Sequence, residues 1–313
     1  METVKLGHSD LTVSRIGIGC EPLGGSDWGV VDHKAAVDAI AESLTYGVNV
    51  FDTADIYGLG RSEELLAEAL GSARDDAVIV SKVGIRALAA GAGNRATTYL
   101  DGSARWVTQA VEQSLRRLRI KTLPLYLVHW PDPRLSVAET IGALDQCRRE
   151  GKVRYIGVSN FSAEQLQEAH RTAPITAAEV PYNLLNREVE REIFPLCEKL
   201  GISVISYGSL AQGLLTGKYQ VGHEFDLNDR RHRLSHFQRD ARATSAGTLQ
   251  RLQRLSRDLG KSMAQVAIRW VLDNTAVSCA LVGAKTTLQV VDNISAADWK
   301  LSSHDRAYLE PSK

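Results

Sequence analysis

Short apolar runs of strand length alternate along this chain with longer amphipathic segments. The runs are RIGIG (15–19), VNVFD (48–52), AVIVSK (77–82), PLYLVH (124–129), RYIGVS (154–159), TAAEV (176–180), SVISY (203–207) and SCALVG (278–283). Their nearly continuous apolar character is that of strands covered on both faces, as in a parallel sheet. The intervening segments carry apolar residues at helical spacing. HKAAVDAIAESLTYG stops on Gly47, and SEELLAEALG opens on Ser62 and closes on Gly71. SVAETIGALDQCRREGK has Ser136 and Glu139 in capping-box spacing and stops on Gly151. SAEQLQEAH, EVEREIFPLCEKLG, the 245–273 stretch and TTLQVVDNIS supply the rest.

Eight strand–helix alternations predict an α/β fold, a (β/α)8 TIM barrel occupying residues 1–313 as a single domain. A doubly wound sheet would place GxGxxG after its first strand, and GIGCEPLGG does not fit that spacing. The opening VKLGHSDLTVS reads as a β-hairpin that plugs the N-terminal end of the barrel. Two segments exceed ordinary connections, from Arg86 to about Arg105 and from Gln220 to about Thr244. Each reads either as a structureless insertion or as a wall or lid at the C-terminal face, where long βα loops belong.

Composition narrows the partners. The 313 residues carry 37 basic and 37 acidic side chains, which removes any general argument for nucleic acid or an anionic membrane as partner. No apolar run reaches the ~20 residues of a membrane span. METVKLGHSDLTVS has no basic segment followed by an apolar one, so the expected location is the cytoplasm. Cys20, Cys147, Cys197 and Cys279 lie far apart with no metal or redox spacing and read as buried thiols, Cys20 alone falling at a strand end where it could approach a cofactor.

Candidate chemistry gathers where the strands end. Asp52 and Tyr57 fall in FDTADIYG, Lys82 in VIVSKVG and His129 in LYLVHWPD, so each follows a buried strand into the region where barrels put their chemistry. A tyrosine is a weak acid at neutral pH, and a nearby ammonium would lower its pKa. Lys82 could supply that ammonium, Asp52 could hold Lys82 charged, and His129 could steady an oxygen gaining negative charge. Such a phenol could protonate a carbonyl oxygen while another group delivers hydride.

Those four residues, in that order and context, resemble the catalytic tetrad of the aldo-keto reductases. The resemblance continues through GLGRSEELLAEAL, SLRRLRIKTLPLYLVHW, GKVRYIGVSNF, PYNLLNRE, SYGSLAQGLLTGKY, AQVAIRWVL and VGAKTTLQVVDN, nearly the whole chain. It implies an NADP-dependent reductase that converts an aldehyde or ketone to an alcohol, with Tyr57 as general acid. It implies also an NADP(H) cofactor bound in extended form without a Rossmann domain. In that picture Ser159 and Asn160 bond the carboxamide and Tyr207 stacks on the nicotinamide. The turn from Gly208 to Lys218, with Leu210 and Gly213, offers backbone N–H groups to the pyrophosphate. Gly283, Lys285 and Thr286 meet the 2′-phosphate region, and Gln289 and Asn293 the adenine. Lys285 favours NADP(H) over NAD(H).

One residue departs from the family's pattern. Glu179 stands in AAEVPYNLLNRE where the family usually has glutamine as a third partner of the carboxamide. A carboxylate accepts but cannot donate, so Glu179 would either hold only the amide NH2 or carry a proton itself. Trp28 and Trp130 are the expected pocket walls, with Trp106 more ordinary packing. The basic run Arg230, Arg231 and Arg233 with His232 and His236 reads as a solvated loop, less often as the seat of an anionic substrate group. Two alternatives remain: a deoxysugar or secondary-metabolite reductase of narrow specificity, and a cofactor-sensing module like potassium-channel β subunits. The second usually carries an extra N-terminal segment, whereas this sequence starts at its hairpin. The partner expected from the whole is a small carbonyl compound; the sequence leaves the oligomeric state open.

Overall fold

The computed structural model describes residues 1–25, 28, 31–88, 96–219, 223–227 and 229–310, with the backbone alone for 239–242. Strands β1 (Thr3–Lys5) and β2 (Thr12–Ser14) form an antiparallel hairpin. The barrel begins with β3 (Ile16–Gly19), α1 (His33–Thr45), β4 (Val50–Asp52), α2 (Arg61–Leu70) and β5 (Val78–Val83). A second ribbon, β6 (Ile85–Ala87) with β7 (Thr98–Leu100), precedes α3 (Ala104–Leu118), β8 (Leu123–Val128), α4 (Val137–Arg149) and β9 (Val153–Ser159). Then come α5 (Ala163–Thr172), β10 (Ile175–Pro181), α6 (Ile193–Leu200), β11 (Ser203–Tyr207), α7 (Arg239–Leu259), α8 (Met263–Leu272), β12 (Val277–Gly283), α9 (Thr287–Ile294) and α10 (Ser303–Leu309). The eight strands β3, β4, β5, β8, β9, β10, β11 and β12 pair in parallel and in chain order, and β12 closes onto β3.

The pleat explains both the core and the site. On β5, Val78 and Val80 point into the barrel with Val50 of β4, Leu125 and Leu127 of β8, Ala177 of β10, Ile205 of β11 and Leu281 of β12. Alternate residues such as Phe51, Ile79, Tyr126 and Ile156 pack outward under the helices. Leu6, Leu11 and Val13 of the hairpin join the inner cluster, so the hairpin stops the bottom of the barrel as expected. Asn49 pins it there: its side chain accepts from Ser14 N at 2.7 Å and donates to Thr12 O at 2.8 Å. That duty takes Asn49 out of the strand expected over 48–52.

The helices differ from expectation where capping decides. Ser62 does not open α2; it lies inside the first turn, where its hydroxyl donates to Cys20 O at 2.7 Å, and Gly60 takes the cap position. The 245–273 stretch is two helices, because Gly260 ends α7 at φ 61° and Ser262 caps α8. Helix α3, not singled out above, has Ser103 as its N-cap. Ser162 and Gln165 make a reciprocal capping box on α5. The 86–105 segment is not structureless where described, since β6 and β7 pair across it; residues 89–95, and in the second long segment 220–222 and 228, lie outside the described residues. Among the described residues no helix is long and apolar enough to cross a membrane.

Candidate active site

Continuing each inward row by one pleat gives the top of the barrel. There the apolar layers end and the last inward residues are Gly19, Asp52, Lys82, Ser159, Glu179, Tyr207 and Gly283, with His129 just past β8. All but Lys82 line a cavity of about 790 Å³ that also takes in Tyr57, Trp28 and Trp130. Lys82 is sealed beneath it, with no exposed surface.

A lysine so buried needs partners. Its Nζ lies 2.6 and 2.5 Å from the two Asp52 carboxylate oxygens, donates to Thr53 O at 3.1 Å, and stands 3.3 Å from Glu179 Oε2. Burial works to lower the Lys82 pKa, but Asp52 and Glu179 outweigh it and hold the ammonium charged. Burial also raises both carboxyls; Lys82 opposes this, and Glu179, which faces Asp52 as well, is lifted well above the usual range.

Tyr57 sits on a tight turn after β4 whose backbone presses on the loop after β3. A Cβ on Gly24 would lie 2.6 Å from Gly58 N, and Gly58 itself adopts φ 58°, so two glycines let the loops meet there. The Tyr57 and His129 rings meet edge to face with centroids 5.7 Å apart, and Lys82 Nζ is 5.5 Å from the Tyr57 ring centre. The lowered tyrosine pKa expected from Lys82 is not found. Burial pushes the Tyr57 phenol well above its ordinary value, and the carboxylates of Glu21, Asp52 and Glu179 push the same way. Lys82, whose hydrogens go to Asp52 and Thr53 O, does not offset them. His129 moves oppositely: burial, then Lys82 and Arg230, hold its imidazole well below the usual value and therefore neutral. Its Nδ1 is buried without a hydrogen-bond partner among the described residues.

The other expected residues fall along the same cavity. Asn160, at φ 61°, donates to His129 O and Ser159 Oγ at 3.0 Å each and accepts from Tyr207 OH at 2.7 Å, which joins three candidate residues in one network. Gly208, Leu210, Gly213 and Lys218 line the cavity from the turn after β11, and Gly283, Lys285, Gln289 and Asn293 from the turn after β12. Thr286 is not in the wall: its hydroxyl caps α9, accepting from Gln289 N at 3.3 Å. Lys285 Nζ donates to Trp28 O at 2.6 Å, and burial, then Arg231 beside it and Lys218, lower its pKa. The cavity wall does not include Cys20; all four cysteines are buried and free.

The basic run is not a solvated loop at its first two positions. Arg230 and Arg231 line the cavity, stack on Trp28 with guanidinium-to-ring distances of 5.7 and 5.6 Å, and pair with Glu21 and Asp229 respectively. Nothing local in the sequence marks this, because Glu21 and Arg230 are 209 residues apart. Ile85 and Thr98 are further wall residues that no motif singled out.

A closed eight-stranded parallel barrel with a polar layer at its C-terminal mouth has the architecture of a TIM-barrel enzyme. The chain belongs to the aldo/keto reductase family, whose model matches residues 15–312. It is 33% identical to the aldo-keto reductase YhdN of Bacillus subtilis (strain 168) over 309 residues, 98% of this chain and 92% of that protein. It is 32% identical to the NADH-specific methylglyoxal reductase of Escherichia coli (strain K12) over 320 residues, 99% of this chain and 97% of that one. Among solved structures it matches the glycerol dehydrogenase AKR11B4 of Gluconobacter oxydans with a TM-score of 0.90 at 34% identity, covering 98% and 93% of the two chains. It is therefore an oxidoreductase acting on carbonyl compounds, and aldo-keto reductases use nicotinamide cofactors.

Proposed function

We propose that this chain reduces an aldehyde or ketone to the alcohol with NADPH, Tyr57 donating the proton. The observation that carries the reading is the polarity of the cavity. One end gathers Tyr57, His129 and Asp52 above the buried Lys82; the other holds Lys285, whose pKa is lowered by burial and then by Arg231 and Lys218. Crowded cations of this kind suit a phosphate-bearing ligand, and NADPH carries one more phosphate than NADH. The orphaned polar atoms, His129 Nδ1 and Glu179 Oε2, suit a polar head at the opposite end.

The cofactor supplies hydride when bound, which no side chain can. Ser159, Asn160 and Glu179 hold its carboxamide, Tyr207 supports the ring, the turn from Gly208 to Lys218 covers the pyrophosphate, and Lys285 meets the 2′-phosphate. His129, being neutral, offers an N–H hydrogen bond to the substrate carbonyl oxygen without competing for its proton. Tyr57 keeps its proton at neutral pH until that oxygen gains charge, and then gives it up. Lys82 and Asp52 fix the field beneath the phenol. Trp28 and Trp130 wall the approach.

Oxidation of NADPH, followed at the absorbance of its reduced ring, against aldehydes, ketones and keto-sugars tests this reading. Turnover with at least one carbonyl class is expected. Binding of NADPH without oxidation by any of them would leave a cofactor-binding module in its place.

A further inference from the structure

Glu179 is the carboxyl at the top of the barrel for which Lys82 has no hydrogen left. An ammonium has three donors, and those of Lys82 go to the two Asp52 oxygens and to Thr53 O. Glu179 Oε2 stands 3.3 Å from Nζ but accepts no hydrogen bond among the described residues. Two ionised carboxylates against one ammonium would leave an uncompensated negative charge in a place where Glu179 is 3% exposed. Burying such a charge is costly, and a proton on one carboxyl removes it. Asp52 has the short contacts to Lys82, so the proton belongs to Glu179.

The proposed cofactor changes this balance, because an oxidised nicotinamide ring is cationic and a reduced one is neutral. We propose that Glu179 is a proton site linked to the redox state of the bound cofactor: it stays protonated beside the reduced ring and releases its proton to solvent when the oxidised ring binds. Glutamine at this position could hold the carboxamide but could not answer the ring's charge. The proposal rests on the cofactor seat given above and adds a consequence for it, a site that holds the oxidised form more firmly as pH rises.

The neighbours of Glu179 do not blur this. Lys82 on β5 is held charged, and Asp52 on β4 is paired with it. Burial pushes the Tyr207 phenol on β11 up to about 12 and also raises Tyr57 and the Cys279 thiol on β12. His129 is kept neutral, and Ser159 on β9 does not titrate. Burial raises Asp52 too, but Asp52 keeps both short contacts to Lys82, so Glu179, held well above the usual carboxyl range with an oxygen that accepts no hydrogen bond among the described residues, is the group placed to change charge.

The test compares dissociation constants for NADP+ and NADPH, measured from tryptophan fluorescence over roughly pH 5 to 10, for the wild type, Glu179→Gln and Glu179→Asp. Calorimetry in two buffers of different ionisation enthalpy counts protons released. The 2′-phosphate titrates in both cofactor forms and cancels in their ratio. In the wild type the NADP+/NADPH ratio of dissociation constants should fall with rising pH, by up to about tenfold per unit, with proton release on NADP+ binding and little on NADPH binding. Glu179→Asp should keep this behaviour, and Glu179→Gln should give a flat ratio without proton release. A flat ratio in the wild type, or a pH-dependent one in Glu179→Gln, overturns the proposal. If Glu179→Gln does not fold, wild-type proton counts still decide it, since equal release with both cofactor forms is a contradiction. Failure of both forms to bind would bring down the proposed cofactor seat and this inference with it. Binding of both without differential release would remove only the role given to Glu179.

Discussion

A phenol buried beside carboxylates keeps its proton, and this decides what Tyr57 can do. Burial with Glu21, Asp52 and Glu179 makes it a reluctant acid in the free protein, so its proton moves only toward an oxygen already drawing negative charge. Replacing Tyr57 by Phe should lower kcat by roughly 10²–10⁴-fold, the usual worth of a positioned acid, while the dissociation constant for NADPH changes only a few-fold. Retained turnover would move the acid elsewhere. Lys285 is the corresponding residue at the far end of the cavity. In Lys285→Ala, NADPH should weaken by about ten- to a hundred-fold and NADH far less, because a charge-assisted contact is worth roughly 1.5–3 kcal/mol. Equal losses would mean that the ammonium serves the Trp28 carbonyl it contacts at 2.6 Å and does not read a 2′-phosphate.

At the level of elements, the loop after β8 has to carry His129 into the cavity and then turn back. Asp132 fastens it. Its carboxylate accepts from Arg134 N and Nε at 3.0 and 2.9 Å and from Gly102 N at 3.1 Å, tying the loop to the segment that leads into α3. The Arg134 hydrogen bonds, with those of the two backbone N–H groups, hold the Asp132 pKa down to about 2. A carboxyl depressed in the folded state stabilises fully above its unfolded value near ~3.9, and the contribution is lost as pH falls through about 2. Asp132→Ala leaves Gly102 N without that partner and should cost about 1–3 kcal/mol, read as a lower denaturation midpoint at neutral pH. The difference from wild type should shrink as pH drops below ~4, where the carboxyl takes up its proton in the unfolded chain while the folded one stays charged down to about 2. A constant difference down to pH ~2 would show that packing, not charge, is what Asp132 supplies.

For the whole molecule, the barrel was legible in the sequence because strands covered on both faces leave nearly continuous apolar runs. The run AVIV is apolar on both faces, and Lys82, the next inward position, breaks that pattern and marks the site. The hairpin plug was legible for a like reason, since Leu6, Leu11 and Val13 have no other core to join. What could not be read depends on contacts made far along the chain. Arg230 and Arg231 look solvated until the fold brings Glu21 and Trp28 against them. The raised Tyr57 pKa depends on burial in the folded cavity and on Glu21, Asp52 and Glu179, which the barrel gathers from the ends of different strands. Thr286 was placed in the site by motif, yet its hydroxyl is needed to cap α9. The claim that joins these scales is direct hydride delivery to a carbonyl carbon at the barrel mouth. Turnover with NADPH bearing deuterium at the transferred position of the nicotinamide ring tests it most directly. The account predicts one deuterium on the carbinol carbon of the product alcohol, and an alcohol product free of that label would contradict it.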